Sequence, residues 1–244
     1  MENFKKTNID QFLDTAETTN SKSLLSSAFG WMFLALGISA AFSVLFGFNE
    51  SLSSYLYYIN EEGKRSMTML GIAVMFAPLG FAMAMSFGWQ KFSFPILLCL
   101  FVAFGAINGI SFSFIFAEYK LGAIYKVFAS TAALFGVMAL LGATTKTDLT
   151  QMRSFLMMAL IGVIIASLVN MFARSPMMDY IISIVGVIVF TGFTAYDVQQ
   201  IKNMDAEFLG EGRAKIALMG ALRLYLDFIN LFLLLLDLFG GRRR

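Results

Sequence analysis

Long apolar segments separated by short polar ones dominate the pattern of this chain. Seven segments have about the 20 mostly apolar residues that a helix needs to cross a bilayer. They are residues 24–48, 67–88, 94–116, 121–143, 155–172, 180–200 and 216–239. Because lipid offers the backbone no hydrogen bonds, each segment is predicted to be α-helical. The pattern therefore predicts an all-α membrane protein with seven transmembrane helices.

The remaining residues are short polar connections and tails. We expect a polar N-terminal tail at residues 1–23, a single transmembrane domain at 24–241 and a basic C-terminal tail at 242–244. Short cytosolic loops are enriched in Lys and Arg, and their distribution here favours a cytosolic N-terminus. Seven crossings would then place the basic C-terminal tail outside, whereas a re-entrant last helix would keep it inside. The charge pattern leaves both arrangements open.

Composition agrees with a protein that lives in a lipid bilayer and excludes several kinds of chemistry. Of the 244 residues, 58% are hydrophobic and 14% are charged, whereas soluble domains have about 25% charged residues. The sequence contains no histidine and one cysteine, which excludes Ser–His and Cys–His nucleophiles, histidine-ligated metals and internal disulfides. A net charge of +2 argues against a nucleic-acid partner. We expect no enzymatic activity and no cofactor.

Two aspartates stand inside apolar runs. Asp197 closes the sixth segment, and Asp227 lies about three turns into the seventh, by the helical rise. An ionisable residue within a span is costly and usually faces the protein interior, so both are candidate functional residues. Two simpler interpretations remain open: Asp197 caps a helix end near the headgroups, and Asp227 pairs with Arg223, one turn earlier.

If the two acids meet, their chemistry is restricted. Two adjacent carboxylates cannot both ionise cheaply, so the pair titrates as one unit and can serve as a proton switch. When deprotonated, Asp197 and Asp227 are hard oxygen ligands that suit calcium, and two carboxylates alone bind it weakly, which favours passage over storage. An intramembrane aspartyl protease is a weaker alternative. Tyr196 and Asp197 fit the first half of its motif. The second half requires a later proline, and no proline follows Pro176.

The motifs around these acids resemble the Bax inhibitor-1 family of transmembrane proteins. "TGFTAYDVQQIK", at residues 191–202, resembles the family signature, and "ALRLYLDFINLFLLLLDLFG", at 221–240, resembles its last helix. The resemblance extends over roughly residues 20–241. It implies two three-helix layers around a central C-terminal helix, with Asp197 and Asp227 as a pH sensor that controls a calcium leak. Bacterial members lie in the cytoplasmic membrane, and some are similar to modulators of a membrane-bound protease.

The chain departs from the family pattern on its second helix. Some members carry a carboxylate and an arginine there, the arginine bonding to the sensor, whereas "MTMLGIAVMFAPLGFAMAMS" has neither. Arg223 and Lys91 are the alternative partners for the sensor. Asp237, near the end of the last helix, is expected to be solvated. Three further residues flank the acids as a candidate second shell: Tyr196, Tyr225 and Asn230.

Three functions are compatible with these residues. The first is a proton-gated cation leak channel, with calcium as the expected ion and protons as the regulator. The second is a non-transporting regulator that binds a membrane protease or another membrane protein, in which case the N-terminal tail is a candidate docking segment. The third and weaker one is a cation/proton antiporter, since membrane acids also form proton relays.

Overall fold

The computed structural model describes residues 2–60, 65–204 and 211–241, with side chains for 24–60, 66–204 and 211–241. Within these ranges the chain forms helices and one short hairpin. The helices are α1 (Glu2–Phe48), α2 (Glu50–Ser53), α3 (Met69–Gly88), α4 (Phe94–Phe112), α5 (Ile115–Glu118), α6 (Leu121–Thr144), α7 (Met152–Ala173), α8 (Pro176–Asn203) and α9 (Glu211–Phe239). The hairpin pairs β1 (Tyr57–Ile59) with β2 (Arg65–Met67).

Seven helical segments in the described residues are long and apolar enough to cross a membrane, which confirms the predicted all-α membrane architecture. The third segment combines α4 and α5 and covers Phe94–Glu118. The last helix, α9, continues without interruption for 29 residues, or about 43 Å at 1.5 Å per residue. A continuous helix of that length argues against a re-entrant last segment. The basic residues 242–244 lie outside the described part of the chain.

Helix α9 is the central element of the bundle. It packs against α1, α8, α6, α4 and α3, and its most apolar window is the most deeply buried of the seven. Helices α1, α3 and α4 pack together on one side, and α6, α7 and α8 pack together on the other. This arrangement agrees with the two three-helix layers around a C-terminal helix that the family resemblance implied.

Polar residues extend several helices beyond the apolar segments that predicted them. Helix α8 begins at Pro176 because the Ser175 hydroxyl accepts a hydrogen bond from the N–H of Met178, and proline at the first position needs no donor. Helix α7 ends at Ala173, and Arg174 after it adopts a left-handed conformation with φ 49°. The Arg174 N–H donates to the Asn170 carbonyl at 2.7 Å, so the chain reverses within a few residues.

Glycines allow the layers to approach closely at two places. A Cβ atom at Gly109 of α4 would run into the carbonyl oxygen of Ser39 in α1, and one at Gly142 of α6 would run into the carbonyl oxygen of Ala195 in α8. Small residues let membrane helices pack backbone against backbone, where van der Waals contact replaces the missing hydrophobic drive. The second contact lies two residues before Asp197 and fixes α6 beside it.

Candidate functional site: a buried pair of aspartates

Helices α8 and α9 bring Asp197 and Asp227 together inside the bundle. Asp197 is 8% exposed and Asp227 is 5% exposed. Their carboxyl groups lie within hydrogen-bonding reach of one another. The antiparallel packing of the two helices explains the contact, because Asp197 lies near the end of α8 and Asp227 lies along α9, which starts at the same end. Asp197 is therefore no exposed helix cap.

The hydrogen bond between the two acids requires a proton. No amide, hydroxyl or cationic donor among the described residues reaches Oδ2 of Asp227. A carboxylate oxygen can only accept, so a bond between two carboxyl groups forms only when one of them is protonated. Within the described part of the chain, no third Asp, Glu, Cys or His joins the pair to form a metal cluster. A direct hydrogen bond within this pair therefore requires one proton.

Two arginines lie within electrostatic reach of Asp197. Arg223 of α9 has the larger influence and also acts on Asp227, and Arg153 in the first turn of α7 has the smaller one. Both side chains are exposed, and among the described side chains neither forms a direct ion pair with the acids. The interpretation of Arg223–Asp227 as a simple ion pair is therefore wrong. Lys91 is exposed beyond the end of α3 and is not among the charges acting on either acid.

Sequence reasoning missed Arg153 as a neighbour of the acids. Arg153 lies one turn before Leu156, which packs in a cluster with Val189, Phe193 and Tyr196 of α8. The pairing of the start of α7 with the end of α8 follows from their antiparallel connection. In the sequence, the only sign of this neighbour was that charged residues lie at the facing ends of the predicted fifth and sixth spans.

The three residues proposed as a second shell make their hydrogen bonds and contacts elsewhere. Tyr196 packs in the α7–α8 cluster around Leu156. The Asn230 amide donates to the carbonyl of Leu226 in its own helix at 2.8 Å. Tyr225 is fully buried on a different face of α9 from Asp227, since residues two apart are about 200° apart around a helix.

Tyr225 instead joins three helices. Its hydroxyl lies 2.7 Å from Oγ of Ser39 in α1, and that Oγ donates to the carbonyl oxygen of Gly105 in α4, also at 2.7 Å. The Tyr225 ring packs edge-to-face on Phe104 with a centroid distance of 5.1 Å. This network fixes α9 against the first layer, on the side of the central helix that faces away from the acids.

The residues that follow Asp197 hold the connection between α6 and α7. The Gln199 side chain accepts from the N–H of Leu149 and donates to the carbonyl of Thr147, both at 2.8 Å. Gln200 donates to the Thr150 hydroxyl at 3.1 Å. Lys202 donates to the carbonyl oxygen of Ala143, at the end of α6, at 2.6 Å. The polar part of "YDVQQIK" therefore fixes the chain segment beside the acid pair.

The opposite end of α8 and α9 holds a second polar region. A cavity of about 440 Å³ lies there between α7, α8 and α9, and its lining includes Asp179 and Asp237. Ser183 donates to Oδ2 of Asp237 at 2.9 Å, and the Asn170 amide donates to Oδ1 of Asp179 at 2.5 Å. Asp237, expected to be a solvated helix end, is partly buried and hydrogen-bonded.

Seven apolar helical segments around a buried pair of acids define an integral, multi-pass membrane protein. Residues 21–244 match the family described as "Inhibitor of apoptosis-promoting Bax1". The chain belongs to this Bax inhibitor-1 family, as the motifs at residues 191–202 and 221–240 had indicated.

Bacterial relatives align with almost the whole chain. A protein of Borreliella burgdorferi without an assigned function is 40% identical over 237 residues, covering 96% of this chain and 99% of its own. The inner membrane protein YbhL of Escherichia coli K12 is 38% identical over 222 residues, covering 90% and 92%. An uncharacterised membrane protein of Streptococcus pyogenes serotype M3 is 34% identical over 233 residues, covering 95% and 98%.

Proposed function

We propose that the protein is a pH-sensitive cation leak channel in which the Asp197–Asp227 pair is the proton switch and calcium is the transported ion. The observation that supports this function is the hydrogen bond between two carboxyl groups that are 8% and 5% exposed. A buried contact that depends on one proton is a two-state element. In this proposal the protein carries out no hydrolysis, and calcium is cargo rather than a resident cofactor.

Removal of the shared proton is the proposed opening step. The protonated pair carries one negative charge and is held by its hydrogen bond, whereas the deprotonated pair carries two negative charges and repels itself. The contact between α8 and α9 is therefore fully present at low pH and is lost as the pH rises and the shared proton leaves. Since both acids are nearly inaccessible in the paired state, we assign this state to the closed channel.

The composition of the pair suits a weakly held ion. Calcium sites that bind tightly use six to eight oxygen ligands, and here no third acidic residue joins the two aspartates in the described part of the chain. A site that releases its ion readily supports conduction. Arg153 and Arg223 counterbalance the acids electrostatically without binding them directly, so the carboxylates remain available to a passing cation.

The proposed location is the cytoplasmic membrane of a bacterium with the N-terminus in the cytosol. The relative YbhL is by name an inner membrane protein. The distribution of Lys and Arg in the loops favours the same orientation. The acid pair then lies toward the cytosolic end of α8, because α8 runs from the outside inward.

The test is calcium flux into liposomes that contain the purified protein, measured across about pH 5 to 9, where coupled acids titrate. We expect wild-type flux to rise with pH, by at most about tenfold per pH unit because one proton is released. In Asp197→Asn and Asp227→Asn the amide can donate to the remaining carboxylate, so the pair keeps its hydrogen bond and a single negative charge, and flux should stay low at every pH.

Asp237→Asn is the matched control, since it removes an acid from the same helix and leaves an acceptor for Ser183. This variant should retain the wild-type pH dependence. Flux that falls as pH rises would contradict the assigned direction of gating. Folded wild-type protein without flux above empty liposomes would refute the leak and favour the regulator that binds a membrane protease or other membrane protein.

A further inference from the structure

The Gln199 side chain is unusually well fixed for a residue at the end of a transmembrane helix. It is 5% exposed, and both ends of its amide are used: Oε1 accepts from the N–H of Leu149 and Nε2 donates to the carbonyl of Thr147. One side chain of α8 therefore satisfies two backbone groups of the α6–α7 connection. These partly buried bonds favour one arrangement, because breaking either leaves one end of the buried Gln199 amide unpaired.

The segment that Gln199 holds leads directly into the turn that carries Arg153. The carbonyl of Leu149 accepts from the N–H of Met152 at 2.9 Å, and the carbonyl of Thr150 accepts from the N–H of Arg153 at 3.2 Å. Leu149 also packs against the cluster that contains Leu156. The position of Leu149 therefore determines where the first turn of α7, and with it Arg153, lies relative to α8.

The same connection contains an acid, Asp148, that does not change its charge over the pH range proposed for the pair. The Thr150 hydroxyl and then its N–H bond to Asp148, which lowers the pKa of that carboxyl. A lowered pKa keeps Asp148 ionised at neutral pH, so the turn that it stabilises is lost only in acid. The structure of the segment stays constant over the pH range in which the aspartate pair is proposed to switch.

We propose that Gln199 is a positioning residue that holds Arg153 beside Asp197 and thereby sets the pH at which the Asp197–Asp227 pair loses its proton. The inference rests on the pair being a proton switch, as the proposed function requires, and not on its conducting ions. A guanidinium near the pair favours the ionised carboxylates. Moving Arg153 away removes that preference, and the proton is then held to a higher pH.

Other charges lie on the elements packed around Asp197, and the test must separate their effects from that of Arg153. Asp227 and Arg223 come from α9, Lys146 and Asp148 from the α6–α7 connection, and Lys202 from α8 itself. Residues 24–48 of α1 contain no charged side chain, and α6 contains Lys126 only, about five turns before the end of α6 that leads to Asp148. Gln199 contacts the connection that precedes Arg153, so its effect should depend on Arg153.

The experiment is an infrared titration of the protonated carboxyl band, assigned by its loss in Asp197→Asn and Asp227→Asn, over about pH 5 to 9. Arg153→Met should move the midpoint upward by about 0.2–0.7 pH unit, the size expected for one exposed charge pair. Gln199→Met should move it in the same direction. In the double variant, the midpoint should equal that of Arg153→Met alone, because Gln199 acts through Arg153.

Gln90→Met is the matched control: it makes the same substitution at an exposed glutamine beyond the end of α3, away from the α6–α7 connection, and should leave the midpoint unchanged. If Gln199→Met does not fold, Gln199→Asn keeps the amide but shortens its reach, and the same upward shift is expected. Additive shifts in the double variant, or an unchanged midpoint in a folded Gln199 variant, would overturn the positioning role.

The two proposals fail in different ways. Absence of any proton step in the pair over this range would overturn both the switch and the positioning role. Absence of calcium flux in a protein whose midpoint shifts as expected would refute only the leak, and the positioning role of Gln199 would stand.

Discussion

The free energy of an acid pair inside a membrane protein depends on how many charges it carries. Two ionised carboxylates buried together are costly on both counts, desolvation and repulsion. Sharing one proton between Asp197 and Asp227 removes one charge and converts the repulsion into a hydrogen bond. In the proposed function, this dependence on one proton is what makes the pair respond to pH.

A Tyr225→Phe variant tests whether this residue influences the acid pair because it lies close to Asp227 in the sequence. Tyr225→Phe removes a hydroxyl that bonds to Ser39, and Ser39 keeps its own bond to the Gly105 carbonyl. We expect a loss of about 0.5–1.5 kcal/mol in the free energy of unfolding, the usual value for one hydrogen bond. The pH dependence of calcium flux should not change, since Tyr225 faces away from the acids.

Thermal unfolding in detergent and the liposome assay measure the two expectations for Tyr225→Phe separately. Ser39→Ala serves as the control from the other side of the network, because it removes the bonds to both Tyr225 and Gly105 and should cost more. A pH profile altered by Tyr225→Phe at unchanged stability would restore this tyrosine as a second-shell residue of the pair.

Only part of the site could be predicted from single residues. Asp197 and Asp227 were evident because a charge within an apolar run is conspicuous, and their meeting followed from the antiparallel order of the last two helices. Arg153 and Gln199 were not evident, because both lie in polar segments where charged and amide side chains are ordinary. Their roles depend on which backbone groups of a neighbouring connection lie within 3 Å, and a hydrophobicity pattern carries no such information.

At the scale of elements, the close approach of α6 and α8 is set by a glycine. Apolar length predicted both helices, but their ends lie several residues further out because Ser175 and the polar residues through Asn203 continue the helical hydrogen bonding of α8. The hairpin of β1 and β2 was not predicted, since its strands have three residues each. Apolar periodicity is informative only over longer segments.

Two glycines of α6 allow a matched comparison. A Cβ at Gly142 would collide with the carbonyl oxygen of Ala195, whereas one at Gly136 would meet no atom within 4 Å. Gly142→Ala should therefore push α6 from α8 and cost about 1–3 kcal/mol, as overpacking does. Gly136→Ala should leave stability unchanged or slightly raise it.

Thermal midpoints of the two alanine variants in the same detergent give the comparison. Equal midpoints would show that α8 yields at Ala195 without cost. Because Ala195 lies two residues before Asp197, the Gly142→Ala protein should also show altered flux at a given pH, and Gly136→Ala should not.

At the scale of the whole molecule, an odd number of crossings places the start of the first span and the end of the last span on opposite sides of the membrane. The acid pair then lies toward the same side as the α6–α7 connection, which contains Lys146. The cavity with Asp179 and Asp237 lies toward the other side. The family resemblance and the burial of α9 agree on this arrangement. Loop charges alone left the number of crossings open.

Single cysteines test the crossing number directly. In a Cys99→Ser background, Lys146→Cys should react with an impermeant maleimide only from the cytosolic side and Met177→Cys only from outside, since both side chains are exposed and α7 separates them. Labelling of intact and of opened spheroplasts distinguishes the two. Reaction of both cysteines from one side would contradict a membrane-spanning α7.

Helices α8 and α9 are joined by polar contacts at two heights, and this has a mechanical consequence. Ser183 and Asp237 meet at one end, and Asp197 meets Asp227 about 21 Å further along α8, by the helical rise. If only the second contact breaks, the first remains as a fulcrum and α8 tilts rather than slides. A gap of about 3 Å at Asp197 then needs a rotation of only about 8°, which a helix 28 residues long can make without unwinding.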